Sequence, residues 1–278
     1  MPKSLVPEAE FFLGDMENGQ SNKGRGGKMV LSRIIKSCLD IVFPPGCTVC
    51  GARLSSDEQG SFCPGCRPGI RRLVPPLCRI CGIEVGGPDG CSPLCGECLK
   101  SPPPYSIARS VVRYEREIQQ LVHKLKYSSD LSVLPGISEL LGYYDMAGFA
   151  DVDCIVVVPL HLKRLRRRGF NQAAVLAGLF FADRRSLIKA DWLVRTRNTV
   201  PQTKLGRTAR RRNLRGAFAA RATSNFPGAV VCLVDDVFTT GTTVRACSQV
   251  ILQEGAVEVK VLTLARVNVP HRDRPWSW

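Results

Sequence analysis

The chain has 278 residues, 44% of them hydrophobic, and a formal net charge of +15, which suits one globular domain plus a smaller module. The positive charge is concentrated, because 16 basic residues but only two acidic ones lie between positions 159 and 215. Such a segment predicts a polyanionic partner, a phosphate cluster or nucleic acid, although a solvated charged face is the common alternative.

The first 45 residues predict a tail followed by one helix. Residues 1–28 are polar and rich in glycine near their end, so they bury too little apolar surface to become ordered. From Met29 onward, apolar residues follow helical spacing between positions 31 and 42, until Pro44 and Pro45 end the pattern. We expect a docking helix here, and both Met1 and Met29 are candidates for the translation start. The helix pattern is too short and too often charged to span a membrane and no signal peptide is apparent, so we expect a soluble, cytoplasmic protein.

Residues 47–98 contain four CxxC pairs but few apolar runs, and such a segment cannot fold around an ordinary core. Eight thiolates suit two tetrahedral structural Zn²⁺ sites, formed by Cys47, Cys50, Cys63, Cys66, Cys78, Cys81, Cys95 and Cys98. The regular spacing favours zinc over an iron–sulfur cluster or disulfides. Consecutive pairing is the simplest arrangement and a cross-braced one is the alternative, while Cys91 is a competitor of Cys95 for the metal.

After a stiff proline-rich linker at residues 101–105, the pattern changes to that of an α/β domain. Apolar residues at positions 118, 121, 122 and 125 share one helical face, and continuous apolar runs at 154–159, 230–234 and 257–265 are typical of buried strands. Between the last two runs we predict a helix that turns Val244, Cys247 and Ile251 inward and stops at Gly255. Strand, helix and strand form a right-handed βαβ unit, which predicts a parallel sheet flanked by helices.

Two adjacent carboxylates, Asp235 and Asp236, follow the apolar run at 230–234, and ligands of parallel sheets bind at the carboxyl ends of the strands. The turn after them offers backbone N–H groups, hydroxyls and a helix N-terminus, which together suit a phosphate; its residues are Thr239, Thr240, Gly241, Thr242 and Thr243. Carboxylates beside such a turn accept hydrogen bonds from a ribose diol and help to hold Mg²⁺. The pattern predicts a phosphorylated ribose as the ligand, with a ligand-free Asp-rich turn as the alternative, and no P-loop lysine follows the glycine.

Two basic segments are predicted near the same edge of the sheet. The first follows the run at 154–159 and is too dense in charge for a single helix face, so we expect a loop that contacts a pyrophosphate or nucleic acid through Lys163, Arg164, Arg166, Arg167 and Arg168. The second spans residues 202–218 and includes Arg207, Arg210 and Arg211. The forked, permanently charged guanidinium group of arginine matches phosphate geometry.

The strand, Asp-Asp and TTGTT at residues 230–243 resemble the phosphoribosyl pyrophosphate (PRPP) signature of type I phosphoribosyltransferases. Together with the basic segments, HKLKY at 123–127 and the cysteine pairs, they are similar to the ComF family over about residues 31–266. The resemblance implies a type I phosphoribosyltransferase-like parallel sheet, an N-terminal double zinc ribbon and a link to DNA uptake in natural competence. It divides the chain into a tail at 1–28, an amphipathic helix plus double zinc ribbon at 29–100, a phosphoribosyltransferase-like domain at 101–267 and a tail at 268–278.

The resemblance also implies roles for individual residues. It places Asp235 and Asp236 on the ribose, residues 239–243 on the 5′-phosphate and residues 160–169 near the pyrophosphate, with Lys126 as a further contact. It implies PRPP with Mg²⁺ as the ligand and, if the site turns over, a pentosyltransferase whose acceptor and catalytic residues the sequence does not assign. No segment recognises a base or generates ammonia, so an amidotransferase function would rest on analogy of fold alone.

Three functional hypotheses follow. The first is a PRPP-binding phosphoribosyltransferase that serves DNA uptake. The second is an ancillary protein that binds single-stranded DNA or other competence proteins and uses its pocket as a PRPP sensor without turnover. The third is a structural zinc protein with a vestigial fold. Magnesium-dependent pyrophosphate release from PRPP, measured against salt-sensitive binding of single-stranded DNA, separates the first two. DNA binding that survives replacement of the acid pair while PRPP binding vanishes would show that the two sites are distinct.

Overall fold

A computed structural model describes residues 46–55, 60–85, 94–128, 130–197 and 216–268 of the protein. All of them belong to one compact unit, Pro45–Trp278. Several predictions lie outside the described residues: the tail at 1–28, most of the tail at 268–278, the helix at 31–42, Cys91, Arg207, Arg210 and Arg211. The domain limits inferred from the sequence stay predictions.

Seven strands form the β structure of the described residues. They are β1 (Ile107–Arg113), β2 (Cys154–Val157), β3 (Ile188–Lys189), β4 (Leu193–Arg195), β5 (Phe218–Ala220), β6 (Val230–Phe238) and β7 (Glu258–Arg266). Five of them build a parallel sheet in the order β1-β7-β6-β2-β3, and β4 pairs with β5 in a separate antiparallel ribbon. The three predicted apolar runs are β2, β6 and β7. The predicted class, a parallel sheet flanked by helices with a small cysteine-rich module, is confirmed.

Six α-helices accompany the strands in the described part of the chain. They are α1 (Gly96–Lys100), α2 (Arg116–His123), α3 (Leu134–Leu141), α4 (Leu162–Arg168), α5 (Gln172–Phe180) and α6 (Thr242–Gln253). A single π-helical turn, Lys124–Ser128, continues α2. The predicted apolar face of α2 is fully buried, and α6 buries Val244, Cys247 and Ile251 as its periodicity predicts. Gly255 follows α6 with a φ of +98°, a conformation that favours glycine.

The prediction of a loop after β2 is wrong, because most of this segment forms the helix α4. The His161 side chain starts this helix by accepting a hydrogen bond at Nδ1 from the Lys163 N–H, at 3.2 Å. Gly169 ends it with a φ of +79°. Leucine and arginine are good helix formers, so local propensity exceeded the charge repulsion on which the loop prediction rested.

Strand order and connectivity together create a crevice between β6 and β2. After β2 the chain continues to β3, toward one edge of the sheet. After β6 it continues through α6 to β7, toward the other edge. Two connections that diverge from neighbouring strands leave an opening above the carboxyl ends of those strands, which is where α/β sheets bind ligands. The predicted acid pair lies on β6 beside this crevice.

The cysteine-rich region packs against the outer edge of β1. The Ala108 N–H donates to the Ile80 carbonyl at 2.6 Å, and the Arg113 N–H donates to the Arg71 carbonyl at 2.8 Å. Arg72 forms an isolated antiparallel bridge with Val112. The cysteine-rich region therefore pairs with backbone N–H groups of β1 that no strand of the sheet pairs with. Over the residues with described structure, no helix is both long and apolar enough to cross a membrane.

Candidate ligand site and cysteine clusters

The acid pair lies where the β2–β6 ladder ends. The last paired residues of the ladder are Val157 and Val234, and Asp235 and Asp236 follow at once on β6. The Asp236 N–H donates to Asp235 Oδ1 at 2.9 Å. Successive residues of a strand point to opposite faces of the sheet, so the two carboxylates have different neighbours.

Lys126 forms an ion pair with Asp236. Its Nζ lies 2.8 Å from Asp236 Oδ2, and only 21% of the lysine and 15% of the aspartate side chain are exposed. Burial alone would lower the pKa of Lys126, but the negative charges of Asp236 and Asp235 raise it above the ordinary lysine value. The π-helical turn after α2 carries this lysine, and such turns are frequent at functional sites. The structure thus brings together two residues that are far apart in the sequence.

Asp235 has a strongly shifted acidity. Burial, and then the neighbouring charge of Asp236, raises its pKa to about 7, against the partial opposition of the positive charges of Lys126 and Arg195. A carboxyl group with this pKa is half protonated near neutral pH, and perturbed groups of this kind concentrate at functional sites.

Arg195, at the end of β4, is a site residue that sequence reasoning missed. Burial and the positive charge of Arg164 lower its pKa, while Asp235 acts in the opposite direction, so these three charged groups lie within electrostatic reach of one another. No local motif surrounds Arg195, and only the packing of the β4–β5 ribbon near the crevice reveals it.

The threonine turn leads from β6 into α6. Gly241 precedes the helix in the left-handed conformation, with a φ of +71°. A Cβ atom at this position would lie 2.7 Å from the Phe238 ring, so both conformation and space demand glycine. The hydroxyls of Thr240 and Thr242 lie 2.8 Å apart in a hydrogen bond, and Thr242 is buried at the first position of the helix. The turn therefore combines hydroxyls with the first N–H groups of a twelve-residue helix, the groups that bind phosphate.

Helix α4 divides the first basic segment into two sets. Lys163, Arg166 and Arg167 are exposed, whereas Arg164 and Arg168, one turn apart, are half-buried. Arg168 donates to Gln172 Oε1 at 3.0 Å, and its guanidinium carbon lies 5.2 Å from the centre of the Tyr127 ring. Burial and the charges of Arg168 and Arg167 lower the pKa of Arg164.

Arg168 therefore contacts Tyr127 on the turn that holds Lys126, and Arg164 lies on the same half-buried face of α4.

The eight predicted ligand cysteines form two clusters with consecutive pairing. One contains Cys47, Cys50, Cys63 and Cys66, the other Cys78, Cys81, Cys95 and Cys98, and the sulfurs of each cluster lie within 4.8 Å of one another. The Sγ atoms of Cys50 and Cys63 are 3.7 Å apart, and those of Cys81 and Cys95 are 3.6 Å apart. Tetrahedral zinc with Zn–S bonds of about 2.3 Å requires sulfurs about 3.8 Å apart, so both clusters fit Zn²⁺. The cross-braced alternative is excluded.

Comparison with known proteins agrees with this geometry. Residues 38–99 match the family model of the double zinc ribbon domain. The DNA utilization protein YhgH of Salmonella typhi is 34% identical over 231 residues, which cover 81% of this chain and 99% of that protein.

Competence proteins are also similar to this chain. Competence protein F of Haemophilus influenzae is 30% identical over 79% of this chain and 96% of its own length. Competence protein ComFC of Bacillus subtilis is 24% identical over 79% of this chain and 94% of its own length. From the two CxxC clusters and this similarity over nearly the whole length of its relatives, the chain belongs to the ComF family.

Proposed function

We propose that this protein binds PRPP with Mg²⁺ at the acid pair and the threonine turn, and that it does so as part of DNA uptake. The observation that carries the proposal is that both halves of the site lie on adjoining segments, the end of β6 and the start of α6. The carboxylates of Asp235 and Asp236 suit a ribose diol, and the helix start at Gly241 suits the 5′-phosphate.

The pyrophosphate would meet positive charge on the opposite side of the crevice. Arg164 and Arg168 are the inward arginines of α4, and Lys126 lies beside them on the π-helical turn. Guanidinium groups bind phosphate oxygens through paired donors. Asp235 and Asp236 are the residues that would hold Mg²⁺, whose chemistry is to neutralise the charge of the pyrophosphate.

If the site turns over, the residues named here act mainly through position and charge. Loss of pyrophosphate from PRPP develops positive charge at the anomeric carbon, which the two carboxylates can stabilise. Arg164, Arg168 and Lys126 can stabilise the leaving anion in the same step. The acceptor of the phosphoribosyl group is left open.

A link to DNA rests on the relatives, whose names are DNA utilization protein and competence protein. Lys163, Arg166 and Arg167 are exposed on α4 and can bind a phosphate backbone. This observation favours a second candidate function, a protein that binds single-stranded DNA or competence partners and uses PRPP as a regulatory ligand. Clusters of reduced cysteines that bind metal are typical of a reducing compartment, so we place the protein in the cytoplasm.

Calorimetric titration of the zinc-loaded, full-length protein with PRPP tests the proposal. We expect binding in the presence of Mg²⁺ and at least a tenfold weaker affinity in Asp235→Asn and in Asp236→Asn. Asp183→Asn is the matched control, since Asp183 is exposed after α5 and belongs to no part of the site. Equal affinity in all four proteins, or no binding by the wild type, refutes PRPP binding at this crevice.

Fluorescence anisotropy with labelled single-stranded DNA separates the two candidate functions. A DNA-binding role predicts affinity that falls steeply with salt and is weakened in the triple variant Lys163→Gln/Arg166→Gln/Arg167→Gln. The same variant should retain PRPP affinity, because these side chains are exposed rather than directed toward the crevice. Pyrophosphate release from PRPP, measured beside binding, distinguishes a transferase from a sensor.

A further inference from the structure

Arg266 connects the second cysteine cluster to the sheet. It is the last residue of β7, and only 4% of it is exposed. One terminal nitrogen, Nη1, donates to the Cys81 carbonyl at 2.6 Å, and the other, Nη2, lies 3.5 Å from Cys81 Sγ. Donors that contact a metal-binding thiolate orient that ligand and tune the site. Arg266 therefore contacts both the backbone and the sulfur of one predicted zinc ligand.

The same guanidinium packs on Phe238, the residue that supports the threonine turn. Its central carbon lies 4.2 Å from the centre of the Phe238 ring, within the range of a cation–π interaction. The Phe238 ring in turn occupies the space in which a Cβ of Gly241 would have to lie. Tyr105 contacts this ring edge-on, with the ring centres 6.3 Å apart. A continuous set of contacts thus runs from Cys81 through Arg266 and Phe238 to Gly241.

Charge makes this connection sensitive to metal. Among the residues whose structure is described, no carboxylate forms an ion pair with Arg266. A buried cation is costly unless an anion lies close to it. Four thiolates around a divalent ion leave about two net negative charges, and the cluster that contains Cys81 is the anion nearest to Arg266. Loss of the metal frees the four sulfur ligands to move and to take up protons, so the guanidinium no longer faces an anion held in a fixed place.

The ribbon that carries the second cluster is fixed tightly to the sheet. Gly82, directly after Cys81, has a φ of +71°, and a Cβ there would lie 2.5 Å from the Ala108 carbonyl oxygen of β1. The Ala108 N–H bonds to the Ile80 carbonyl at 2.6 Å. Close packing of this kind transmits small displacements instead of absorbing them. A displacement of Cys81 is consequently transmitted both to β1 and to Arg266 at the end of β7.

We propose that Arg266 is a positioning residue that couples metal binding at Cys78, Cys81, Cys95 and Cys98 to ligand binding at the threonine turn. This inference rests on the proposed binding of PRPP. Metal in the cluster holds Arg266 against Phe238, and Phe238 holds the turn in the conformation that binds phosphate. Coupling between two sites is reciprocal in binding free energy, so bound PRPP must also strengthen metal binding at this cluster. We expect the tighter site to release its metal more slowly.

The test measures zinc release from the full-length protein to an excess of a chromogenic chelator, with and without Mg²⁺ and PRPP. We expect two release phases in the wild type, one for each cluster, and a slowing of one phase by about fivefold or more at saturating PRPP. Arg266→Lys keeps the positive charge but loses the fork that joins Cys81 to Phe238, so its release rates should no longer respond to PRPP. Phe238→Leu removes the ring and should uncouple the sites in the same way.

Arg109→Lys is the matched control. Arg109 donates to the Arg79 carbonyl of the same ribbon at 3.1 Å, and no contact described for it reaches Phe238. This variant should retain the full response to PRPP. Binding of PRPP by the wild type with unchanged zinc release overturns the coupling alone, and absence of PRPP binding overturns both the coupling and the proposed function. The wild-type comparison needs no substitution, so it decides whether the two sites are coupled even when a variant fails to fold. A full response to PRPP in Arg266→Lys and Phe238→Leu would overturn the role of Arg266.

Discussion

Replacement of Asp235 by asparagine should remove a pH dependence from the stability of the protein. The folded pKa of about 7 lies above the ordinary value of 3.8, so the folded state holds the proton more tightly than the unfolded chain does. The stabilisation is complete below pH 3.8 and is lost as pH rises toward about 7. The linkage slope of about 1.4 kcal/mol per pH unit decreases as the pH approaches the folded pKa, so the loss between pH 5.5 and 8 is about 2 kcal/mol.

Urea denaturation at pH steps from 5.5 to 8, in the presence of zinc, measures this effect. The wild-type free energy of unfolding should fall by about 2 kcal/mol relative to Asp235→Asn, because the amide stays neutral throughout the range. Asp183→Asn should follow the wild type. Parallel profiles for the wild type and Asp235→Asn would refute the argument that burial and Asp236 shift this carboxyl group.

Three further substitutions test other parts of the site. Lys126→Met leaves Asp236 without its ion-pair partner, so the free energy of unfolding should fall by about 2 kcal/mol. The pKa of Asp235 should rise further, because the positive charge of Lys126 lowers it in the wild type, and the same urea series would record both changes. Gly241→Ala forces a Cβ against Phe238 at a positive φ, and calorimetry should find PRPP affinity reduced at least tenfold while zinc content stays at the wild-type level. Cys50→Ser should reduce bound zinc from two ions to one per chain by elemental analysis, with PRPP affinity retained.

The parts of the fold that local pattern determines were predictable from sequence. Apolar runs identified β2, β6 and β7 because central parallel strands are buried on both faces. The CxxC spacing identified the eight ligand cysteines, since each pair is a local turn around one ion. The Asp-Asp and threonine turn were equally local, because strand end, turn and helix start follow one another along the chain.

The missed features depend on contacts between distant segments. Lys126 was named from the family resemblance, but its ion pair with Asp236 depends on the packing of the turn after α2 and was not predicted. Arg195 reaches the crevice only through the β4–β5 ribbon. Arg266 lies at the end of a strand with no motif around it, although it joins Cys81 to Phe238. The conformation of α4 was mispredicted for another reason, since repulsion among exposed arginines is weak beside helix propensity and two defined ends.

The hydrogen bonds between the cysteine-rich region and β1 have a consequence for the handling of the protein. An uncovered edge strand presents free N–H and C=O groups to other chains and promotes aggregation. Here the Ile80 and Arg71 carbonyls shield that edge, and the segment that carries them depends on bound metal for its shape. Chelation should therefore lower solubility, because the β1 strands of different chains can then pair with one another. Bound metal thus also prevents self-association of the protein.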